Sequence, residues 1–548
     1  MSPFVLHPSV LLYAALSISA ASFARAAAPT SERPNIIVVL ADDMGFSDLS
    51  CFGGEVPTPN IDQVATDGVR FTQLYNTARC CPTRAALLTG LYSHQAGVGN
   101  MLQDRGPEHP GYRGFLSDRS VTLAEVLHGA GYFTAMAGKW HVGSQPEHWP
   151  RQRGFDRFFG SLTGGYYFAD SPRADLIEDD TSISLEALPK GWYCTDAWMD
   201  AGLRFVDEAR TARKPFFLYL AHIAPHFPLQ APPEDIARWR GKYLGGWDKL
   251  REARYARQRE MGLISQDWPL SKRPDKVPAW DSLTEAEKDR FDQIMAIYAA
   301  TIERLDRSVG TLVQGLKERG EFENTLIVFL SDNGGNGEGG VRGRLIGEPA
   351  GSAKSNVWLG LSWATLTNTP FLRTKRHTHE GGIASPTILH WPAGIPAERR
   401  GKFEPQLAHV VDLMPTFVDL AGAAYPKEFK DQPIFPMEGV SLRAALNGQA
   451  IARAQPIFFE HLGNRAVRDG DWKLVAEAEE PWQLYNARAD RTEQHDVAAL
   501  HPEITARLVA AYEAWARRCN VEPLGGTDDE KLPNEDGRRQ REPRQDAK

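Results

Sequence analysis

The 548-residue sequence has few cysteines, no excess of basic residues and few long hydrophobic runs, and each shortage excludes a class of protein. Five cysteines cannot form the dense disulfide framework of a small secreted scaffold. The formal net charge is −8 and no long stripe of lysine and arginine occurs, so we expect no nucleic-acid partner. Hydrophobic residues make up 42% and charged residues 24% of the chain, which is typical of a globular protein with several domains.

The main apolar run lies near the amino terminus, from Val10 to Phe23. Its 14 residues fall short of the roughly 20 that a helix needs to span a bilayer. Ala24-Arg25-Ala26 follows and is typical of a signal-peptidase cleavage site. We therefore predict a signal peptide over residues 1–28, no stable membrane span, and an exported protein that is periplasmic or secreted. A misassigned start or a single anchor helix is the alternative.

Short apolar runs then alternate with segments of helical character. The predicted buried strands are residues 35–40, 132–137, 215–220 and 326–330, and predicted helices include residues 122–129 and 284–318. This alternation predicts an α/β fold with a large, mostly parallel sheet between helices. We expect residues 242–280 to run over the surface and residues 337–368 to form a long loop that lines a pocket.

The pattern changes after about residue 450, where short strands and turns replace the long alternation. The predicted strands there are residues 457–460, 465–468 and 471–475, and one amphipathic helix covers residues 502–518. We predict a catalytic domain over residues 33–450 and a smaller α+β domain over residues 451–523. Residues 524–548 contain almost no apolar side chain, which predicts a disordered tail.

Polar side chains follow the first and last of the predicted strands. Asp42 and Asp43 come after the first strand, and Asp332 and Asn333 come after the last. Ligands of open α/β sheets bind beyond the carboxyl ends of the strands, so these side chains are expected to face one crevice. Three carboxylates and an amide oxygen are ligands suited to Ca²⁺ or Mg²⁺. A turn or a helix cap explains either pair taken alone, but two pairs at strand ends favour a metal site.

Residues 80–90 contain a distinctive local pattern, Cys-Cys-Pro-Thr-Arg followed by a helix-favouring run. Pro82 marks the first turn of a helix, which places Cys80 at or just before the helix N-terminus. A helix N-terminus attracts anions and lowers the pKa of a thiol. From the residues alone, Cys80 is a buried structural cysteine, a thiolate nucleophile or half of a redox pair.

The pattern Cys80-x-Pro82-x-Arg84, followed by Leu-Thr-Gly, resembles the signature of the type I, formylglycine-dependent sulfatases of the arylsulfatase branch. Similar stretches extend over roughly residues 33–521. The resemblance implies an alkaline-phosphatase-like fold, with a large mixed, mostly parallel sheet sandwiched by helices and a smaller C-terminal α+β domain. It also implies that a formylglycine-generating maturation enzyme oxidises Cys80 to an aldehyde, and that each chain binds one Ca²⁺.

The resemblance also implies the site residues. The implied metal ligands are Asp42, Asp43, residue 80, Asp332 and Asn333. The implied catalytic residues are Cys80, Arg84, Lys139, His141, His226 and Lys375. In this mechanism the hydrated aldehyde attacks sulfur, His226 assists the leaving oxygen, and His141 takes the proton that expels sulfate from the covalent intermediate. Lys139 and His141 are two residues apart, so we expect them on one face of an extended strand.

The remaining histidines and cysteines receive no catalytic role. We expect His222 to be structural, and His377 and His379 to be loop residues. Turnover is expected to need none of the other cysteines outside the Cys80–Cys81 pair, namely Cys51, Cys194 and Cys519.

The sequence predicts hydrolysis of sulfate esters, with an aryl sulfate or a sulfated carbohydrate as substrate. A phosphonate or phosphodiester hydrolase on the same scaffold is one alternative, because a metal, cations and a nucleophile suit any tetrahedral oxyanion. A non-catalytic binder of sulfated glycans, with Cys80 unconverted, is another alternative.

Overall fold

The strands form one large sheet and several small ones. The computed structural model describes Met1 and residues 33–523. Within these residues the strands are β1 Asn35–Ala41, β2 Val69–Phe71, β3 Leu74–Tyr75, β4 Phe133–Lys139, β5 Arg157–Ser161, β6 Ile177–Glu178, β7 Thr181–Ser182, β8 Phe216–Ala221, β9 Thr325–Ser331, β10 Arg344–Ile346, β11 Asn356–Trp358, β12 Thr387–His390, β13 Lys402–Glu404, β14 Ala408–His409, β15 Glu428–Phe429, β16 Gln432–Pro433, β17 Ile457–His461, β18 Asn464–Asp469, β19 Trp472–Ala476 and β20 Gln483–Asn486.

Two of the helices begin at a threonine that caps the first turn. Thr122 and Thr284 each cap a helix and exchange hydrogen bonds with a glutamate three residues later, which satisfies free N–H groups of the first turn. In residues 33–523 the α-helices are α1 Pro59–Thr66, α2 Cys80–Thr89, α3 Leu123–Gly129, α4 Cys194–Ala212, α5 Pro233–Ala237, α6 Gly246–Glu260, α7 Glu285–Glu318, α8 Gly360–Thr367, α9 Glu380–Ile383, α10 Leu413–Ala421, α11 Arg443–Leu446 and α12 Pro502–Arg518.

The large sheet has ten strands in the order β13-β2-β12-β9-β1-β8-β4-β5-β6-β7. Its centre is parallel, since β1 pairs with both β8 and β9, and β4 pairs with β8 and β5. β12 joins β9 in the antiparallel sense, so the sheet is mixed. All seven residues of β1 are buried, and so are all seven of β9, because layers of apolar side chains cover both faces. The predicted α/β class is confirmed.

A small antiparallel sheet of four strands, β17-β18-β19-β20, forms the C-terminal part of the described chain. Helix α12 packs on β18 and β19, with Leu508 and Trp515 buried against the sheet. The predicted small α+β unit is therefore present. Residues 33–523 belong to one compact unit, so the boundary at residue 450 stays a prediction. The predicted signal peptide and the predicted tail lie outside the described residues.

Two connecting segments contain more regular structure than predicted. Residues 242–280 lie largely at the surface, but they include helix α6, which was not predicted and which buries Trp247 and Arg254. The abundance of arginine and lysine suggested exposure, but Arg254 is buried and pairs with the buried carboxylate of Asp48 and the partly buried carboxylate of Glu55. Residues 337–368 are not one long loop, since they form the hairpin β10–β11 and helix α8.

No helix in residues 33–523 is both long and apolar enough to cross a bilayer.

Candidate active site

The register of the central strands brings Asp42 and Asp43 close to Asp332 and Asn333. β1 and β9 run parallel with Ala41 opposite Ser331, so the residues that follow each strand lie side by side. The amide of Asp332 donates to the carbonyl of Ala41 over 3.1 Å, and the amide of Asp43 donates to Asp332 Oδ1 over 3.3 Å. The crevice predicted at these strand ends therefore holds both pairs.

These two pairs of residues present oxygens that suit a divalent cation. The ligand atoms of Asp42, Asp43 and His226 lie within 4.8 Å of one another. Oδ1 of Asp42 and Oδ1 of Asn333 are buried and have no hydrogen-bond partner. A buried acceptor without a donor is costly, and a hard cation would satisfy both atoms. The residues present therefore fit a bound Ca²⁺ or Mg²⁺.

Three buried cations surround the three carboxylates. Arg84 Nη2 lies 2.8 Å from Asp332 Oδ2 and 3.2 Å from Asp42 Oδ2. Lys139 Nζ donates to Asp42 over 2.7 Å, and Lys375 Nζ donates to Asp43 over 2.5 Å. Each of these side chains is almost wholly buried. A divalent ion among the carboxylates would compete with the lysines for these oxygens and leave ammonium groups for an anionic substrate.

The pKa values of two neighbouring carboxyl groups move in opposite directions. Burial works to raise the pKa of Asp42, but nearby Lys139, His226 and Arg84 outweigh it and lower that pKa. Burial and the adjacent Asp42 raise the pKa of Asp332 well above its ordinary value. Two close carboxylates cannot both ionise easily without enough positive charge, so an added cation would stabilise the doubly ionised pair.

Cys80 begins helix α2, as the sequence predicts. Arg79 is the extended N-cap residue, and Gly90 ends the helix in the left-handed conformation, with φ 68°. A Cβ at Gly90 would lie 2.5 Å from Cβ of Met414, which explains glycine at the end of the motif. The hydrogen bond from Cys81 lowers the pKa of Cys80, with help from Lys139 and His141, against the opposing effect of burial.

Lys139 and His141 both approach Cys80, but not as neighbours on one face of a strand. β4 ends at Lys139, and His141 has a φ of 59°, so the chain turns directly after the strand. The prediction that Lys139 and His141 share one face of a strand is therefore wrong. The turn after β4, and not strand alternation, directs the side chain of His141. Ligand atoms of Cys80, Cys81 and His141 lie within 4.8 Å of one another. Burial and Lys139 lower the pKa of His141 to about 4.

His226 lies beside the carboxylates of Asp42 and Asp43. Its Nε2 is 3.7 Å from Asp43 Oδ2, and its Nδ1 lies 2.5 Å from the carbonyl oxygen of Phe227. The His226 ring stacks on Phe227 at 4.1 Å between centroids, and Phe227 stacks on Trp358 at 3.6 Å. These contacts hold the imidazole in one orientation beside the carboxylate cluster.

In residues 33–523, no histidine other than His141 and His226, and none of Cys51, Cys194 and Cys519, belongs to either group of potential metal ligands at the site. His222 is buried, and burial lowers its pKa to about 3. His379 is the N-cap residue of α9, while His377 lies half-buried with Nδ1 3.1 Å from the carbonyl of Thr374. The three remaining thiols are buried, and burial raises the pKa of each: Cys51, Cys194 and Cys519.

Sequence reasoning missed several residues at the edge of the site. Asn336 Nδ2 donates to Asp43 Oδ2 over 2.8 Å, and Glu338 accepts from Arg79 over 2.9 Å. Glu338 also lies 3.9 Å from Lys375 Nζ. Their position in the polar loop directly after β9 was the sequence feature that could have identified them.

The chain matches the family model described as Sulfatase over residues 34–423. A second model, described as N-sulphoglucosamine sulphohydrolase, C-terminal, matches residues 372–511. The chain belongs to the sulfatase family. Its activity is the hydrolysis of sulfate esters, and the alkaline-phosphatase-like architecture described above is that of the family.

Named relatives cover most of this sulfatase. It is 38% identical over 452 residues to an arylsulfatase of Klebsiella aerogenes, with 79% of this chain and 95% of the relative covered. It is 33% identical over 525 residues to an uncharacterized sulfatase of Schizosaccharomyces pombe, with 88% and 93% covered. Among solved structures, Ps i-CgsB in complex with k-i-k-neocarrahexaose is 29% identical with a TM-score of 0.67, and 90% and 94% of the two chains are covered.

Proposed function

We propose that Cys80, converted to formylglycine by a maturation enzyme, carries the nucleophile of this sulfatase, and that the metal is one Ca²⁺ per chain. The observation that carries the proposal is the position of Cys80. It lies at a helix N-terminus, with Lys139 and His141 beside it and the buried carboxylates close by. A hydroxyl on residue 80 would thus have cations for the sulfuryl oxygens and a base within reach.

The side chains that would hold Ca²⁺ are Asp42, Asp43, Asp332 and Asn333, with an oxygen on residue 80 completing the predicted set. Bound there, the ion supplies positive charge that polarises the sulfate ester. The two partnerless oxygens of Asp42 and Asn333 support this assignment. Oxygen-only ligands favour Ca²⁺ over softer metals.

The two histidines have separate roles in the proposal. His226 donates a proton or a hydrogen bond to the leaving oxygen of the ester. His141, whose pKa is lowered to about 4, is neutral near pH 7 and can accept a proton from a hydroxyl on residue 80. Lys139, Lys375 and Arg84 compensate the negative charge of the sulfuryl group, because all three are buried close to the carboxylates.

The proposed substrate is an aryl sulfate or a sulfated carbohydrate, and the proposed location is outside the cytoplasm. The arylsulfatase relative and the carbohydrate complex support the two substrate classes. A phosphonate monoester hydrolase shares the fold at 20% identity and a TM-score of 0.56. Parallel assays with nitrophenyl sulfate and a nitrophenyl phosphonate test this alternative, and a higher kcat/KM for the phosphonate would favour it.

The Cys80→Ser variant tests the nucleophile. Its one hydroxyl can attack sulfur, but residue 80 then lacks the second hydroxyl from which His141 would take a proton. We expect at most about one nitrophenol per active site, followed by arrest with a sulfated serine visible by mass. Cys81→Ser, which leaves residue 80 convertible, is the matched control and should turn over repeatedly. Steady turnover by a Cys80→Ser protein whose mass shows an unmodified serine would contradict the proposal.

A further inference from the structure

Cys81 is a buried thiol that the proposed reaction does not use. It lies directly beside Cys80, and one ligand atom from each of Cys80, Cys81 and His141 fits within 4.8 Å. All three residues are at least nine-tenths buried, with His141 the most exposed at 8%. Cys81 Sγ also lies 3.8 Å from the thioether sulfur of Met101. The four side chains make a sulfur-rich cluster next to the oxygen cluster.

His141 provides a second, independent indication of a ligand. Its Nδ1 is buried and has no hydrogen-bond partner, which is costly for a polar atom inside a protein. Imidazole nitrogen and thiolate sulfur are the ligands that Zn²⁺ and related cations prefer, whereas the carboxylates nearby prefer Ca²⁺. The two neighbouring groups of side chains therefore favour different cations: the cysteines and His141 favour a zinc-like ion, and the carboxylates favour Ca²⁺.

We propose that the protein as encoded, before Cys80 is converted, binds one zinc-like cation through the sulfurs of Cys80 and Cys81 and a ring nitrogen of His141. Three protein ligands with an open fourth position are a common zinc arrangement. A Zn–S bond of about 2.3 Å sets neighbouring ligand atoms about 3.8 Å apart in a tetrahedron. Donor atoms already within 4.8 Å thus need to close by only about 1 Å.

Charge and protons balance when the cation binds to Cys80, Cys81 and His141. Each thiol loses its proton to solvent as its sulfur binds, so two thiolates neutralise one divalent cation, while His141 binds as neutral imidazole. The inference depends on the encoded cysteines and not on the proposed reaction. Conversion of Cys80 replaces its sulfur by oxygen and removes one of three ligands, so only unconverted molecules retain the site.

The experiment titrates Cd²⁺ into reduced, full-length protein made in a host without the maturation enzyme, with excess Ca²⁺ present to fill the oxygen cluster. The ultraviolet charge-transfer band of cadmium thiolates reports binding at sulfur. We expect one Cd²⁺ per chain. The Cys81→Ser and His141→Ala variants should bind at least about 100-fold more weakly, as should converted enzyme. Cys51→Ser, which alters a buried thiol elsewhere, should bind like wild type.

Equal unfolding midpoints of the metal-free variants show that a loss of binding is not a loss of fold. Absence of a charge-transfer band in the unconverted protein would overturn the inference, and so would unchanged affinity in both the Cys81→Ser and His141→Ala variants. Neither the cadmium titration nor the unfolding measurement depends on catalytic activity. A failure of the sulfatase mechanism would instead appear in the activity of converted enzyme, so the two failures are distinguishable.

Discussion

At the scale of single residues, the candidate site is defined by which buried polar atoms have partners. Asn333 and Asn336 both donate to the carboxylate of Asp43, but they differ in their oxygens. Oδ1 of Asn336 accepts from the amide of Glu338 over 2.7 Å, whereas Oδ1 of Asn333 has no partner. This difference supports the proposal that Asn333 is a metal ligand and that Asn336 has a supporting role.

The Asn333→Ala variant should bind Ca²⁺ at least about 10-fold more weakly, because it removes a proposed ligand oxygen. Asn336→Ala should lose less affinity, since it removes only a donor to Asp43. Calorimetric titration of calcium into chelator-treated protein measures both. Equal calcium affinity in Asn333→Ala and wild type would remove Asn333 from the ligand set.

Burial of His222 makes the stability of the folded protein depend on pH in the acid range. Burial lowers its pKa to about 3, against an ordinary 6.5, so the unfolded chain takes up a proton at a higher pH than the folded protein. The contribution of neutral His222 to stability is therefore present above pH 6.5 and lost as the pH falls toward 3.

The His222→Phe variant should flatten this acid dependence by up to a few kcal/mol between pH 6.5 and 3. Denaturant midpoints of wild type and variant across that range measure it. If the two stability curves stay parallel, the histidine is not buried in its neutral form.

At the scale of elements, the strands could be predicted from sequence better than the segments between them. Runs of Ile, Val and Leu buried on both faces predict β1 and β9 because their pattern is local. Helix α6 could not be placed in this way. Its Arg254 pairs with Asp48 at 3.0 Å and Glu55 at 2.7 Å, partners about 200 residues away in the chain.

The same distinction applies to the site. The polar residues directly after each strand were predictable because parallel strands end at one edge of the sheet. The role of Asn336 and the turn at His141 were not, since they depend on loop conformations that no local pattern specifies.

The Arg254→Met variant should destabilise the protein by about 3–5 kcal/mol, because it leaves the buried carboxylate of Asp48 and the partly buried carboxylate of Glu55 without their cation. Chemical denaturation measures the loss. Lys249→Met, which changes an exposed residue on the same helix, should stay within about 0.5 kcal/mol of wild type. Similar effects of the two changes would mean that the buried ion pairs contribute nothing specific.

At the scale of the whole molecule, buried charges join the C-terminal sheet to the catalytic part. Lys473 of β19 lies 2.9 Å from Glu380 and 2.7 Å from Glu493, and Arg491 lies 2.7 Å from Glu380. All four side chains are almost wholly buried. Burial raises the pKa of Glu493 to about 7, even with Lys473 beside it.

The Lys473→Met variant should lower stability by about 3–5 kcal/mol, since it leaves two buried glutamates next to each other. Because the cluster links the C-terminal sheet to helix α9 of the catalytic part, unfolding should remain a single transition at a lower midpoint. Scanning calorimetry measures both features, and exposed Lys427→Met is the control. Separate melting of a C-terminal unit in the wild type would contradict the inference that this charge cluster couples the C-terminal sheet to the catalytic part.

The mass of the peptide Cys80–Arg84, cut after Arg79 and Arg84 from active protein made in its own host and then alkylated, tests the central claim most directly. The account predicts that residue 80 has lost its sulfur and two hydrogens and gained one oxygen, while Cys81 carries one alkyl group. Two alkylated cysteines in fully active enzyme would contradict the account, because residue 80 would then be an ordinary thiol during turnover.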